Sequence, residues 1–219
     1  MKSYVITIMS MPESVEMAER CIASIPSSVD PAPYMFPAVT PGLNPTTIAK
    51  NENLNLSKFN KDSMKYSRYE RCVSAFLSHY SLWKLCAEGK EDFLIFEHDA
   101  VVNGNIPAWI PHRGCISIGK PSYGKYNTPS KLGVNPLTSK KYFPGAHAYI
   151  VSPKGARKLV QHAKEHAAPT DVFLDIRDLP WLEEYYPWAA EAKDTFSTIQ
   201  KEGGCLAKHG YKKGSYKLL

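Results

Sequence analysis

Apolar and polar positions along this chain switch between two spacings. Residues 3–9 (SYVITIM) are β-branched and apolar and read as a strand, and Pro12 then opens a mixed stretch through Ile25 that reads as a helix entered by a turn. Residues 34–39 are a second strand candidate. The Pro-, Asn- and Lys-rich stretch 40–65 has little periodicity and reads as a long loop with short helical turns. Ser67-Arg68-Tyr69-Glu70 fits a capping box, and Cys72, Val73, Phe76, Leu77, Tyr80 and Trp83 then recur at helical spacing up to a stop at Gly89. The apolar run 92–96 reads as a buried parallel strand that leads straight into Glu97, His98 and Asp99. Residues 115–118 form a short strand candidate, 119–143 read as loops around a site, and 147–151 form another strand. Ser152-Pro153 supplies an N-cap and first-turn proline for a helix to about His166. Thr170-Asp171 opens a short helix, and 185–188 is aromatic and strand-like. Alternating strands and helices predict one α/β domain over residues 1–219, with a mostly parallel central sheet flanked by helices and a basic tail at about 201–219.

Composition places the chain among folded proteins: of 219 residues 43% are apolar and 22% charged, which excludes the low-hydrophobicity, high-charge pattern of disorder. The five cysteines (Cys21, Cys72, Cys86, Cys115, Cys205) contain no C-x-x-C pair, which argues against a complete disulfide framework or a zinc ribbon and for a reduced compartment. The first apolar run is too short for a signal peptide or a membrane span, so a cytoplasmic location is expected. The net charge of +6 is unevenly distributed. Residues 100–164 carry Arg113, Lys120, Lys125, Lys131, Lys140, Lys141, Lys154, Arg157, Lys158 and Lys164 without one acid, and 165–194 is acid-rich. A basic surface facing an acidic segment suits an enzyme that holds a polyanion near carboxylates; the alternative is a solvated surface whose charges intermix on folding.

The chemistry candidates sit at strand ends. In an extended segment Glu97 and Asp99 share one face, and two carboxylates there suit Mg²⁺ or Mn²⁺, which prefer oxygen ligands and bridge protein to diphosphate. Thr7, Ser10 and Met11 stand at the end of the first strand, where open α/β sheets bind ligands; the family resemblance given next implies a nucleotide there, with Glu97 at the same donor site.

SAFLSHYSLWKLC followed by DFLIFEHDAVV resembles the central block of glycosyltransferase family 25, which includes lipooligosaccharide and procollagen sugar transferases. Ser78, His79 and Trp83 match the family's S-H-x-x-x-W helix, Glu97 and Asp99 match the outer acids of its E-D-D strand end, and His98 replaces the middle acid. The likeness extends to YVITI, GAHAYIVSPKGARKLV and PTDVFLD. It implies a GT-A-like fold, a nucleotide-sugar donor such as a UDP-sugar, Mn²⁺ or Mg²⁺, and transfer to an acceptor hydroxyl with inversion. Under it Asp99, Glu97 and the late His209 are metal candidates, Asp171 is the catalytic base and Asp175 its reserve. His79 either orients an acid or is a satisfied core residue. IGKPSYGKYNTP, LGVNPLTSK and EYYPW resemble phage-encoded members, some of which glycosylate hydroxymethylated bases in DNA. Lys120, Tyr123, Lys125, Tyr126, Lys140, Lys141 and His147 are then the acceptor-binding candidates. Double-stranded DNA is the preferred acceptor, a lipooligosaccharide or other glycan is the alternative, and a non-catalytic nucleic-acid- or sugar-binding module is the reading from a different class.

Overall fold

The computed structural model describes residues 1–29, 32–60, 64, 67–193, 195–201 and 217–219. The β-branched opening forms β1 (Lys2–Thr7), and Pro12, free of the need to donate an amide, begins α1 (Pro12–Ser24). There follow β2 (Tyr34–Pro37), a 3₁₀ turn (Pro41–Leu43), α2 (Pro45–Asn51), α3 (Tyr69–Glu88), β3 (Phe93–Glu97), β4 (Ala100–Val102), β5 (Cys115–Ser117) and β6 (Gly133–Pro136). The last third holds β7 (Ala148–Val151), α4 (Pro153–His166), α5 (Thr170–Phe173), β8 (Leu182–Tyr186), β9 (Ala190–Ala192), β10 (Phe196–Ser197) and β11 (Lys217–Leu218).

Seven strands form one sheet in the order β2-β1-β3-β7-β5-β8-β6. The β1–β2, β1–β3 and β5–β8 pairs are parallel, whereas β3–β7, β5–β7 and β6–β8 are antiparallel. The fold is α/β, but the sheet is mixed rather than mostly parallel. β7 enters between β3 and β5 running against both, and the edge strand β6 runs against β8. A strand buried on both faces reads as a plain apolar run whichever way it points.

Period-two alternation divides the core. Phe93 and Ile95 of β3 join Phe76, Trp83, Leu159 and Phe173 beneath α3 and α4, while Leu94 and Phe96 join Ala18 and Cys21 of α1 and Ile25 just after it on the other face. Cys21, Cys72, Cys86 and Cys115 are free and buried, and burial pushes the thiols of the first three up to about 12. Among the described residues no helix is long and apolar enough to cross a membrane.

Two capping expectations end differently. Ser152 caps α4, its Oγ accepting from the Gly155 amide at 3.2 Å. Ser67 does not cap α3: the helix starts at Tyr69 with Arg68 as an N-cap that makes no side-chain cap, and Ser67 bridges to Gln200 instead. At the α4 start the backbones nearly touch, since a Cβ on Gly155 would lie 2.1 Å from the Gly114 carbonyl oxygen. Backbone cannot step aside as a flexible side chain can. Gly155→Ala is therefore expected to destabilise the fold by about 1–3 kcal/mol or more. Thermal denaturation checks this, and an unchanged midpoint would show that α4 rides free of the β5 entrance.

Folding also breaks up the charge blocks. Buried Glu184 accepts from Thr138 N and Ser139 N at 2.6 and 2.7 Å, and Glu183 is gripped by Arg113 through its amide (2.6 Å) and Nε (3.0 Å). Lys164 reaches Tyr80 and Glu52, Arg157 donates to the Ala87 carbonyl, and Lys158 lies over the Trp181 ring. Much of the basic run is thus spent on internal contacts.

Candidate active site

Two clefts open beside the carboxyl end of β3, with volumes of about 440 and 490 Å³. Both fall in the range of roughly 300–1,000 Å³ typical of small-molecule sites. The first lies between the β1–α1 turn, the segment after β2 and one face of α3, and includes Ile8, Ser10, Met11, Val39 and Arg71. The second lies between α5 and the loops carrying Ser122, Tyr123 and Tyr142. Glu97 and Asp99 line both, so the two spaces meet at one carboxylate wall.

The extended chain stops at Glu97, and His98 and Asp99 form a turn before β4. The two acids nonetheless reach the same wall, because the turn is anchored on its far side. Lys193 N donates to the Asp99 carbonyl at 2.8 Å, and β4 pairs with β9 immediately afterwards. Arg20 completes the staple, its Nη2 donating to the carbonyls of Lys193 (2.8 Å) and Asp99 (3.4 Å). His98, in place of the middle acid, turns toward α1, with Nδ1 3.1 Å from Ser14 Oγ and its ring stacked on Phe196. Burial lowers its pKa, and the nearby Asp99 opposes the shift.

Glu97 is held from beneath by a buried chain of hydrogen bonds. Trp83 Nε1 can only donate, and does so to Tyr149 Oη at 2.8 Å. The Tyr149 hydroxyl proton is then directed to His79 Nδ1, also at 2.8 Å, which leaves His79 Nε2–H to donate to Glu97 Oε1 at 3.0 Å. Burial takes His79 down to about 3, so the ring is neutral and this tautomer serves the chain. The two open readings of His79 are both met: it is a satisfied core residue, and it orients an acid. Burial first, and then the charges of Asp99 and Asp171, push the Glu97 carboxyl well above its ordinary range. All three carboxylates line the second cleft.

Asp171, at the start of α5, accepts from the Tyr123 hydroxyl through Oδ2 and from Val172 N through Oδ1 at 2.9 Å. Burial raises its pKa, and those hydrogen bonds only partly offset the rise. Lys140 Nζ lies between the rings of Tyr123 and Tyr142, 4.7 and 4.8 Å from their centroids, and donates to the Tyr123 carbonyl at 2.9 Å. This clamp positions Tyr123 and through it Asp171.

Other expected site residues are placed elsewhere. Thr7 is fully buried and donates to the Val5 carbonyl at 2.9 Å, so its side chain belongs to β1, and Ile8, Ser10 and Met11 line the first cleft instead. Asp175 lines neither cleft. Burial would raise its pKa, but the fork of Arg177, with Nη2–Oδ2 at 2.7 Å, outweighs this and lowers it, which suits a structural ion pair and not a base. Lys140 is committed to its two tyrosines and not offered to an acceptor. Tyr126 packs edge-on against Trp188. His147 is buried and lines the second cleft, with Gly119 and Gly145 leaving room for its ring. Lys120, Lys125 and Lys141 are exposed.

The wall fits a hard divalent cation. Asp99 Oδ1 is buried without a hydrogen-bond partner among the described residues, and the clash that raises Glu97 is one a cation would relieve. Glu97 and Asp99 would supply two ligands; the third expected ligand, His209, lies outside the described residues, among which no group of three or more His, Cys, Asp or Glu is placed to hold one ion. Motif reading passed over Arg71 and Ser74, whose signal was a polar stripe with Ser78 at positions i, i+3 and i+7 of an otherwise apolar helix. Compared with known proteins, the chain matches no family profile and no curated sequence.

Proposed function

We propose that this chain is a metal-dependent glycosyltransferase with a GT-A-like arrangement, moving a sugar from a nucleoside-diphosphate donor in the first cleft to an acceptor hydroxyl in the second, with inversion. The observation that carries this is the pair of clefts sharing the Glu97–Asp99 wall, with Asp171 lining only the second. In-line displacement needs that layout: leaving group on one side of the anomeric carbon, base on the other. Asp171 takes the acceptor proton as the acceptor oxygen bonds to the anomeric carbon, and the bond from that carbon to the phosphate oxygen breaks, its electron pair leaving with the nucleoside diphosphate. A raised carboxyl pKa suits a base working near neutral pH. A divalent cation on Asp99 and Glu97 would supply charge neutralisation for the departing diphosphate. The likeness of the S-H-x-x-x-W and E-H-D segments to glycosyltransferase family 25 supports the same assignment.

For the acceptor, the described residues that line the second cleft include Glu97, Asp99 and Asp171 but neither Lys nor Arg, which favours an uncharged entering part. The exposed Lys120, Lys125 and Lys141 stand on or beside the loops that carry Ser122, Tyr123 and Tyr142. That combination supports a hydroxyl-bearing ring carried on a polyanion, with hydroxymethylated DNA as the proposed case. A nucleotide-sugar panel with Mn²⁺ and EDTA arms tests the reaction: metal-dependent release of nucleoside diphosphate is expected, and binding of nucleic acid or glycan with no turnover of any donor would make the chain a binding module. Modified duplex is expected to gain mass by one sugar. Its binding is expected to weaken with salt at a logarithmic slope of about 0.9 per phosphate neutralised. Mass gain on glycans alone would reassign the acceptor.

A further inference from the structure

His98 stands between the two acids of the wall and lines the first cleft but not the second. Its ring is held at two points. Nδ1 lies 3.1 Å from Ser14 Oγ, and the ring face stacks on Phe196 with centroids 5.5 Å apart. The direction of the proton between His98 and Ser14 decides what the ring can do. Ser14 is fully buried, and its Oγ already accepts from Ile8 N at 2.9 Å. Among the described residues no carbonyl or carboxylate takes the Ser14 hydroxyl proton, so that proton goes to His98 Nδ1. The opposite direction would bury a hydroxyl hydrogen with no acceptor. Nδ1 is therefore the acceptor, and Nε2 bears the hydrogen. An imidazolium would carry a hydrogen on Nε2 as well, so this holds whatever the charge on the ring. Among the described residues Nε2–H has no acceptor: neither Glu97, whose Oε1 is taken by His79, nor Asp99 bonds to it. The residue is half-buried, and Nε2 is not sealed in the core.

We propose that His98 is a binding residue of the first cleft and not a ligand of the cation, its Nε2–H donating to a phosphoryl oxygen of the nucleoside-diphosphate donor. The proposal rests on the transferase reading and deepens it by naming a side chain that holds the donor. A metal takes an imidazole nitrogen through its lone pair; Nδ1 spends that pair on Ser14, and Nε2 has none to offer. Glu97 and Asp99, when ionised, bring only acceptor oxygens to this wall, and those repel a phosphate. A ring N–H between them in the chain gives the phosphoryl oxygen a donor without adding a third negative charge, and hydrogen bonds to charged oxygens are the stronger class. Because Ser14 sets the tautomer and Phe196 the ring plane before any ligand arrives, little freedom is lost on binding.

The imidazole ¹⁵N resonances of the full chain, recorded without ligand above neutral pH, test the premise: the Nε2–H form is expected, and an Nδ1–H form would overturn the proposal. Calorimetric titration with UDP and GDP, each with EDTA and with Mn²⁺, tests the contact. A Gln side chain places its amide nitrogen about where Nε2 lies, whereas Asn reaches only as far as Nδ1. His98→Gln is therefore expected to keep most of the nucleotide affinity and His98→Asn to lose about tenfold, the scale of one hydrogen bond to a charged group. A side chain that served the fold alone would not separate two variants of equal melting temperature. The rise in melting temperature that Mn²⁺ alone gives the native chain is expected to persist in His98→Asn; its loss would make His98 a cation ligand and overturn the proposal. Native affinity in His98→Asn would overturn it too, as would binding of neither nucleotide to the native chain. His98-dependent binding of UDP or GDP in a chain that turns over no nucleotide sugar would sustain the contact and sink the transferase. Turnover with an unchanged donor KM in His98→Asn would do the reverse.

Discussion

Replacing Asp171 with Asn is expected to lower kcat by about 10²- to 10⁴-fold, the range for loss of a positioned general base, with the donor KM nearly unchanged. The change preserves shape and local bonding. Val172 N still finds the Asn carbonyl oxygen, and the Tyr123 hydroxyl, which donates to Oδ2 in the native protein, accepts from the new amide instead. The fold should survive, since an amide has no charge to desolvate. The pH dependence gives a second check. A base must be ionised to act, so native kcat falls as pH drops through the raised Asp171 pKa, whereas residual turnover in Asp171→Asn loses that limb. Asp175→Asn separates chemistry from packing. It breaks the Arg177 fork and is expected to reduce stability while kcat stays near native. A matching fall in kcat for Asp175→Asn, or loss of donor affinity in Asp171→Asn, would remove Asp171 from the role of base.

Asp99→Asn is expected to abolish metal-dependent turnover, by on the order of 10²-fold or more, as when charge stabilisation of a leaving group is lost. It should also move stability the other way. Asp99 adds to the charge that presses on Glu97, so in EDTA the variant is expected to melt no lower than the native chain. Mn²⁺ should raise the native melting temperature by binding the folded state alone, and leave that of the variant nearly unmoved. An equal Mn²⁺-induced rise in both proteins would place the cation elsewhere.

The parts of the fold that could be read in the sequence are those where one physical requirement dominates. The apolar stripe of α3, the Ser152–Pro153 entry to α4 and the run 92–96 each have one sensible partner, a core or a helix end. β4, β6 and β9 were missed because strands of three or four residues have no length over which a period can show, and β6 contains Gly133 and Pro136. The direction of β7 was hidden by its burial on both faces. Site residues divide in the same way. Glu97, Asp99 and Asp171 follow strand and helix ends and line the clefts, but Thr7 and Asp175 failed because a side chain one position along, or an arginine two positions along, decides whether a group faces solvent or serves the backbone. The charge blocks misled for a simpler reason. Net charge along the chain says nothing about which acids, like Glu183 and Glu184, are drawn inside to hold amides.

The place of β7 bears on how this chain is made. Until residue 151 has been synthesised, β3 has β1 on one side and nothing on the other, and the strand it presents, Phe93 to Phe96, is wholly apolar. An unpaired apolar edge is a template for other chains. β5 waits as well, because its neighbours β7 and β8 both come after it. During elongation fifty residues must leave the ribosome between β3 and the strand that seals it. The long span between β3 and β7 thus leaves the nascent chain open to misassociation, and synthesis or chaperone capture at that stage bears on yield independently of the stability of the finished fold.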